Sequence, residues 1–232
     1  MKFVIGNWKM NGNTREKSDM IQALSELDTK NTVILCLPFT LLGGDNKDIN
    51  IGAQNISEHE NGAYTGDISG KMIADMGAKY VIVGHSERRF HHHETNEKVH
   101  AKAAAAIRHN LIPIICVGET LDEYKAERTI PVIKEMLNRC LPETGDFIVA
   151  YEPRWAIGTG LTPTTKEVTK IHQMIFEHLN AHGHGGKPIV YGGSINQSNA
   201  TAFASVPHVD GLLIGGASLK VETFLPIIKS IN

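Results

Sequence analysis

The sequence predicts an α/β fold, a single-domain (βα)8 barrel that spans residues 1–232. Eight short runs rich in Val and Ile recur along the chain, each of nearly continuous apolar character. This pattern is typical of strands that are buried on both faces of a parallel sheet. Stretches with helical spacing lie between most of the runs, and no linker rich in Pro, Ser or Gly divides the chain.

The eight runs are the predicted strands. In chain order they are KFVIGNW from residue 2, TVILCLPF from 32, INIGAQN from 49, YVIVGHS from 80, IPIICVGE from 112, DFIVAYE from 146, PIVYGG from 188 and GLLIGGA from 211. A doubly wound open sheet is the alternative, but it would usually have fewer strands.

Helices are predicted between the strands from apolar stripes that could pack on a sheet. Two such stripes are Met20, Ile21, Leu24 and Leu27, and Val168, Ile171, Ile175 and Leu179. Thr164 and Glu167 have the spacing of a capping box, which marks a helix start. The segment TLLGGDNKDIN after the second strand has two adjacent glycines and little apolar periodicity. The second helix is therefore predicted to be shortened to a turn or lost.

Composition excludes several classes of protein. The net charge is -2, and no basic stretch with interleaved aromatic residues occurs, so neither nucleic acid nor anionic lipid is an expected partner. The apolar run at residues 3–5 is too short for a signal peptide or a membrane span. Cys36, Cys116 and Cys140 are an odd number without a CxxC motif, which suits a reducing compartment. We expect a cytoplasmic protein.

Polar residues stand at the carboxyl ends of the predicted strands, where barrels place their active sites. They are Asn7 and Lys9 after strand one, Gln54 and Asn55 after three, His85, Ser86 and Glu87 after four, Glu119 after five and Glu152 after six. Glycines follow strands seven and eight. A lysine, a histidine and a carboxylate at three separate strand ends indicate an enzyme site.

Five motifs occur in the order GNWKMNG, GHSERR, YEPxWAIGTG, YGGSI and GGASL. In this order they resemble the triosephosphate isomerase family, and the resemblance covers nearly the whole chain. It implies a TIM barrel that interconverts dihydroxyacetone phosphate and D-glyceraldehyde 3-phosphate, in glycolysis and gluconeogenesis. A proton would move between adjacent carbons through an enediolate, with no metal and no organic cofactor.

The resemblance also implies a role for each polar residue. Glu152 is the base, and a carboxylate of ordinary pKa, about 4.3, needs a dehydrated site and a stabilised enediolate oxygen for that task. His85 is a neutral imidazole that donates a hydrogen bond to the substrate oxygens. Lys9 offsets the developing negative charge. Asn7 completes the catalytic set as a polar positioning group beside Lys9, and Ser86 and Glu87 are expected to support these residues.

Phosphate binding is predicted at glycines, because backbone amides approach phosphate oxygens only where no side chain intrudes. By resemblance the phosphate donors are Gly158, Ser194, Gly215 and Gly216. The fold indicates the same region, since barrels often bind phosphate near the loops after strands seven and eight.

The stretch after Glu152 resembles the family's lid, with hinges at residues 153–155 and 161–163. Its residues are Pro153, Arg154, Trp155, Ala156, Ile157, Gly158, Thr159, Gly160, Leu161, Thr162 and Pro163. Closure would keep water out of the site. Arg154 replaces the family's usual valine, Leu161 its usual lysine, and Pro163 is an added proline. We expect Arg154 to change lid motion and not proton transfer.

The segment ENGAYTGDISG from residue 60 resembles the family's long third loop. The resemblance implies a homodimer held through the loop at residues 61–70. Thr65 would then reach the region around Asn7 and Lys9 of the partner subunit.

Two other functions stay open at this stage. One is another phosphosugar barrel enzyme, although the strand ends carry no metal-ligand cluster for a metal-dependent epimerase. The other is a non-catalytic scaffold for phosphate ligands, which would be expected to have lost Glu152, His85 or Lys9.

Two histidine patterns also suggest a metal. HHHE at residues 91–94 is more simply a polar loop or helix start, since successive helical residues point about 100° apart. His178 and His182 share a helix face beside Gly183, where a helix end favours histidine without a metal.

Overall fold

The computed structural model describes residues 1–157 and 161–231. Its eight strands form one closed barrel in chain order. β1 pairs in parallel with β2 on one side and with β8 on the other, which closes the sheet. The predicted (βα)8 barrel is confirmed, and every strand lies inside its predicted run. The strands are β1 (Phe3–Asn7), β2 (Thr32–Leu37), β3 (Asn50–Ala53), β4 (Tyr80–Val83), β5 (Ile112–Val117), β6 (Ile148–Tyr151), β7 (Ile189–Tyr191) and β8 (Gly211–Ile214).

Helices form the outer layer around the barrel. Across the described residues they are α1 (Thr14–Ser25), α2 (Gly70–Asp75), α3 (Ser86–His91), α4 (Asn96–Arg108), α5 (Leu121–Lys125), α6 (Thr129–Cys140), α7 (Thr165–Ala181), α8 (Ala200–Ala204) and α9 (Val221–Ser230). None of these described helices has the length and apolar character needed to cross a membrane.

The segment between β2 and β3 is described throughout and contains no α-helix. Its only regular element is a 3-10 helix at Phe39–Leu41. Further on, Gly44, Lys47 and Asp48 have positive φ values of 101°, 44° and 63°. Left-handed residues interrupt a right-handed helix, so the predicted shortening of the second helix is confirmed with a physical reason.

The start of α7 is confirmed as predicted. One carboxylate oxygen of Glu167 accepts hydrogen bonds from the backbone N–H and the hydroxyl of Thr164, both at 2.7 Å. The hydroxyl oxygen of Thr164 in turn accepts the N–H of Glu167 at 3.2 Å.

The apolar stripe predicted for the first helix is wrong at one position. Helix α1 ends at Ser25, and Leu27 packs on the core from the loop that follows. The C-cap residue Glu26 donates back to the carbonyl of Leu24, which closes the helix early.

Two apolar layers stabilise the barrel, because side chains alternate between the two faces of each strand. The outer layer packs the strands against the helices, with the whole predicted stripe of α7 buried in it. The inner layer fills the barrel and consists of Ile5, Ile34, Cys36, Tyr80, Ile82, Ile114, Cys116, Ile148, Ala150, Val190 and Leu213. The interior is thus closed by side chains, and ligands are confined to the barrel ends.

His172 on α7 is the most deeply buried histidine of the described residues. It is fully buried, between the rings of Tyr151 and Tyr191. Its Nδ1 lies 2.9 Å from the carbonyl oxygen of His208, while Nε2 has no hydrogen-bond partner in the described structure. Burial lowers the pKa of His172 from 6.5 to about 4.

We expect His172 to make the fold sensitive to acid. In the unfolded chain this imidazole keeps its ordinary pKa of about 6.5, so below that pH the unfolded state binds a proton that the folded state does not. Stability is full above this pH and falls by up to about 3 kcal/mol as the pH drops to 4. Urea unfolding at pH 7 and pH 4.5 measures the loss, which should be smaller in His172→Phe. The exposed His182 at the end of α7, changed to Phe, is the control. Parallel losses in all three proteins would contradict the assignment.

Candidate active site

A cavity of about 280 Å³ opens at the carboxyl ends of the strands. Most of the predicted polar residues from strands one, four and six line it, together with the loops after strands seven and eight. The lining residues are Asn7, Lys9, His85, Glu152, Ile157, Gly192, Gly193, Ser194, Ile195, Asn196, Leu213, Gly215, Gly216 and Ala217. Its size suits a small ligand rather than a dinucleotide or a polymer.

Lys9 enters the cavity from a left-handed turn after β1. Its backbone has a φ of 53°, which is unusual for a residue with a side chain. The side-chain oxygen of Asn7 accepts the backbone N–H of Lys9 at 3.1 Å and stabilises this turn. The ammonium lies 2.6 Å from Oε1 of Glu87. Asn7 therefore orients the lysine, and Glu87 balances its charge.

Glu152 and His85 form the buried centre of the site. Nε2 of His85 lies 3.2 Å from Oε1 of Glu152. The backbone N–H of Ser86 donates to the other oxygen of Glu152 at 3.3 Å. Nδ1 of His85 accepts the backbone N–H of Glu87 at 3.3 Å, at the start of α3. This bond places the proton of the neutral ring on Nε2, directed at Glu152.

The two central groups shift each other's pKa in opposite directions. Burial would lower the pKa of His85, but the Glu152 carboxylate beside it outweighs burial and raises that pKa above its ordinary value. Burial would raise the pKa of Glu152, but His85 and the amide of Ser86 lower it below the ordinary value. Glu152 is thus held ionised. The pKa of His85 is raised by direct contact with Glu152. This shift therefore applies to the ligand-free site, in which no substrate separates the two side chains.

Glycines and a serine from the loops after β7 and β8 build another wall of the cavity. After β8, Gly215 precedes a 3-10 helix at Gly216–Ser218. The indole N–H of Trp8 donates to the carbonyl of Ser218 at 3.0 Å, which ties this turn to the end of β1. A Cβ atom at Gly216 would meet no atom within 4 Å, so the backbone there is open to a ligand. The hydroxyl of Ser194 donates to the carbonyl of Ala156 at 2.6 Å.

The described part of the predicted lid begins with a 3-10 helix at Arg154–Ala156. Ile157 lines the cavity. Leu161, where the described chain resumes, is exposed. Burial lowers the pKa of Arg154, with the nearby guanidinium of Arg89 acting in the same direction. Pro163 is buried just before α7. The predicted phosphate donor Gly158 and the lid residues Thr159 and Gly160 lie outside the described residues.

Sequence reasoning noted Glu119 at a strand end but gave it no role. The structure buries it completely. Its Oε1 accepts the indole N–H of Trp155 at 2.9 Å and the hydroxyl of Tyr151 at 3.3 Å. Its backbone carbonyl also accepts the N–H of Arg154 at 3.0 Å, so Glu119 anchors the segment that follows Glu152. Burial raises its pKa. Its place two residues beyond the last residue of β5 was the available signal.

Thr65 and the histidines that suggested a metal do not line this cavity. Thr65 is exposed and does not line the cavity of its own chain. The HHHE segment is at the end of α3 and not at a helix start, because His92 caps that helix. The rings of His178 and His182 stack with centroids 4.0 Å apart. Within the described ranges, no group of three or more His, Cys, Asp or Glu side chains is placed to hold a metal ion.

A closed parallel barrel with a carboxylate, an imidazole and an ammonium around one small cavity at its carboxyl end defines a TIM-barrel enzyme of the acid–base type. The family model described as triosephosphate isomerase matches residues 2–231. The chain belongs to the triosephosphate isomerase family.

Relatives and a solved structure agree with this assignment. The chain is 45% identical over 244 residues to the triosephosphate isomerase of Rhizobium etli, which covers 98% of this chain and 95% of the relative. It is 43% identical to that of Nitrosococcus oceani, with 98% of both chains covered. The crystal structure of triosephosphate isomerase from Bartonella henselae superposes with a TM-score of 0.88 at 38% identity, covering 99% of this chain and 98% of that one.

Proposed function

We propose that Glu152, His85 and Lys9 carry out the isomerisation of triose phosphates in this member of the family. The reaction interconverts dihydroxyacetone phosphate and D-glyceraldehyde 3-phosphate, an aldose–ketose isomerisation that only moves protons. The observation that carries the proposal is the 3.2 Å approach of His85 Nε2 to Glu152 Oε1, in the cavity that Lys9 also lines.

Glu152 takes the proton from the carbon next to the substrate carbonyl. The C–H electron pair moves into the bond between the two carbons, and the carbonyl oxygen becomes the enediolate oxygen. The proton on Glu152 then returns to the neighbouring carbon, while a hydroxyl proton moves between the two oxygens. No oxidant or reductant is consumed. Burial of Glu152 keeps water from competing for the carboxylate.

His85 and Lys9 stabilise the charge that develops on the oxygens. The Nε2–H of His85 donates to each oxygen in turn, since the two oxygens are on adjacent carbons. Nδ1 of His85 accepts the backbone N–H of Glu87, so the neutral ring has only the proton on Nε2 to donate. The ammonium of Lys9 adds a positive charge in the same cavity. Both groups are in place before the reaction, so little reorganisation is needed in the transition state.

The wall formed by Ser194, Gly215 and Gly216 binds the phosphate in this proposal. Its backbone amides are donors that suit a dianion, and the hydroxyl of Ser194 joins them once it releases the carbonyl of Ala156. Substrate would thus span the cavity, with phosphate at this wall and the reacting carbons beside Glu152 and His85. The lid at residues 153–163 closes over it and limits loss of phosphate from the enediolate.

A coupled assay of the purified protein tests the function. D-Glyceraldehyde 3-phosphate is supplied, and the dihydroxyacetone phosphate formed is reduced by a dehydrogenase that consumes NADH. We expect turnover without added metal and unchanged turnover after treatment with a chelator. Absence of turnover with binding of phosphate would favour the scaffold interpretation instead.

We also propose a homodimer in which the loop at residues 61–70 enters a second copy of the chain. Residues 61–67 of the loop are exposed, yet the loop is organised within one chain. Tyr64 stacks on His59 at a centroid distance of 3.8 Å, and the hydroxyl of Ser57 donates to Asp67 at 2.6 Å. A cleft of about 700 Å³ beside Lys9 is large enough to receive the tip of such a loop.

Light scattering after size exclusion should give twice the chain mass of 25.4 kDa. Thr65→Arg places a long charged side chain on the exposed loop and should shift the protein towards the monomer, with loss of activity. The same substitution at the exposed Thr201 of α8 is the control. A monomeric and fully active wild-type protein would contradict the dimer.

A cytoplasmic location is part of the same proposal. The three cysteines are free and buried, which suits a compartment that keeps thiols reduced.

A further inference from the structure

Tyr124 on α5 contacts the first hinge of the predicted lid and the helix that follows the lid. Its ring stacks on the indole of Trp155, with centroids 4.4 Å apart and 27° between the ring planes. Its hydroxyl donates a hydrogen bond to Oε1 of Glu167 at 2.7 Å. One side chain therefore joins the segment after Glu152 to the first turn of α7.

The contact with Trp155 acts on the first hinge. Trp155 follows Glu152 by three residues, and its indole N–H is already held by Glu119 at 2.9 Å. Tyr124 covers the face of the same ring. The indole is thus fixed at its edge by a buried carboxylate and at its face by a phenol, so a turn of this hinge has to release both contacts.

The contact with Glu167 acts on the second hinge. Oε2 of Glu167 caps α7 through the backbone N–H and the hydroxyl of Thr164, both at 2.7 Å. Oε1 is left for Tyr124. The hydrogen bond to Glu167 raises the pKa of Tyr124, so the phenol remains a donor at neutral pH. Pro163 immediately precedes this cap, and the cap therefore fixes where the second hinge ends.

The surroundings leave room for these groups to move. A cavity of about 600 Å³ is lined by Tyr124, Trp155, Pro163 and Glu167, among others. Rotation of the indole or the phenol into this space would leave the packed core in place. The two contacts of Tyr124 can therefore open without local unfolding.

We propose that Tyr124 is a positioning residue for the lid, whose contacts with Trp155 and Glu167 favour the conformation without substrate. The inference rests on the proposed function, since lid closure over the phosphate is part of that function. A ligand that draws either hinge away must break contacts of Tyr124. Weakening these contacts shifts the population towards the ligand-bound conformation and tightens binding.

Two variants separate the two contacts. Tyr124→Phe removes the hydrogen bond to Glu167 and keeps the ring, whereas Tyr124→Leu removes both contacts. Tyr80→Phe makes the same chemical change in the first residue of β4, at the opposite end of the barrel, and is the matched control. The readouts are KM for D-glyceraldehyde 3-phosphate, the dissociation constant of inorganic phosphate, and tryptophan emission. Trp155 reports on the hinge, because Trp8 is the only other tryptophan and is buried.

We expect KM and the phosphate dissociation constant to fall together, by about two- to fivefold in Tyr124→Leu and by less in Tyr124→Phe. The ligand-free emission of Tyr124→Leu should shift to longer wavelength as the indole face loses its cover. Constants that rise or stay at the wild-type value in both variants would overturn the inference. If the wild-type protein shows no turnover, the proposed function fails, and the phosphate titration still decides the role of Tyr124.

Discussion

Glu152→Gln is expected to lower kcat for triose phosphate isomerisation by roughly 10³-fold or more, with a much smaller change in KM. An amide of the same size cannot accept the substrate proton, and a positioned general base contributes roughly 10² to 10⁴-fold. The amide is also a poor match to its neighbours. Ser86 and His85 both donate towards the two carboxylate oxygens, so one donor would face the NH₂ group. Steady-state kinetics in the coupled assay, with the variant purified separately from any host isomerase, measures the effect.

Glu152→Asp gives an intermediate test of the same assignment. It keeps the carboxylate but withdraws it by one methylene, and a misplacement of about 1 Å can cost roughly 10²-fold. Glu177→Gln on the exposed face of α7 makes the same chemical change away from the cavity and should keep the wild-type kcat. A kcat for Glu152→Gln within tenfold of the wild-type value would exclude Glu152 as the base.

The strands were predictable because burial on both faces leaves a strong local signal. Each parallel strand is a short, continuous apolar run, and a polar residue or glycine marks its end. Once the fold is a barrel, all carboxyl ends meet at one face, so Asn7, Lys9, His85 and Glu152 could be grouped without coordinates. The loss of the helix between β2 and β3 could be predicted from a local signal as well. Glycines and left-handed residues in that segment interrupt helical geometry whatever the rest of the fold is.

The contacts between separate loops were not predictable in the same way. Glu119 and Tyr124 reach Trp155 from two different positions along the chain, and no periodicity encodes which side chains meet across a barrel rim. Burial of His172 between two tyrosines likewise depends on how α7 lies on β6 and β7. Leu27 shows that local patterns also have a limit. A periodic apolar stripe does not specify where the helix ends, and α1 ends before this residue.

Gly118 is a further position whose role depends on packing between loops. It lies between the end of β5 and Glu119, beside the backbone of Glu152. A Cβ atom built there would stand 1.7 Å from the carbonyl oxygen of Glu152 and 2.6 Å from its carbonyl carbon. Both are backbone atoms and cannot rotate away. The sequence shows a glycine after a strand, but only the packed barrel shows that the backbone of Glu152 excludes a side chain there.

Gly118→Ala is therefore expected to damage both stability and activity. Either β5 or β6 must shift at its carboxyl end, which costs roughly 3 kcal/mol or more by analogy with overpacked cores. The shift displaces Glu152 from His85, and kcat should fall by roughly 10²-fold. Urea unfolding and the coupled assay measure the two losses in one preparation.

Gly43→Ala is the matched control for this substitution. A Cβ atom at Gly43 would also meet an atom closer than 3 Å, but that atom is the terminal methyl of Met76 at 2.2 Å. Met76 is 47% exposed, so its side chain can rotate away at little cost. The two substitutions add the same methyl group, and only the one facing backbone should be harmful. Equal stability and equal kcat in both variants would show that the end of β6 yields easily, and that Glu152 is not held by its fit against Gly118.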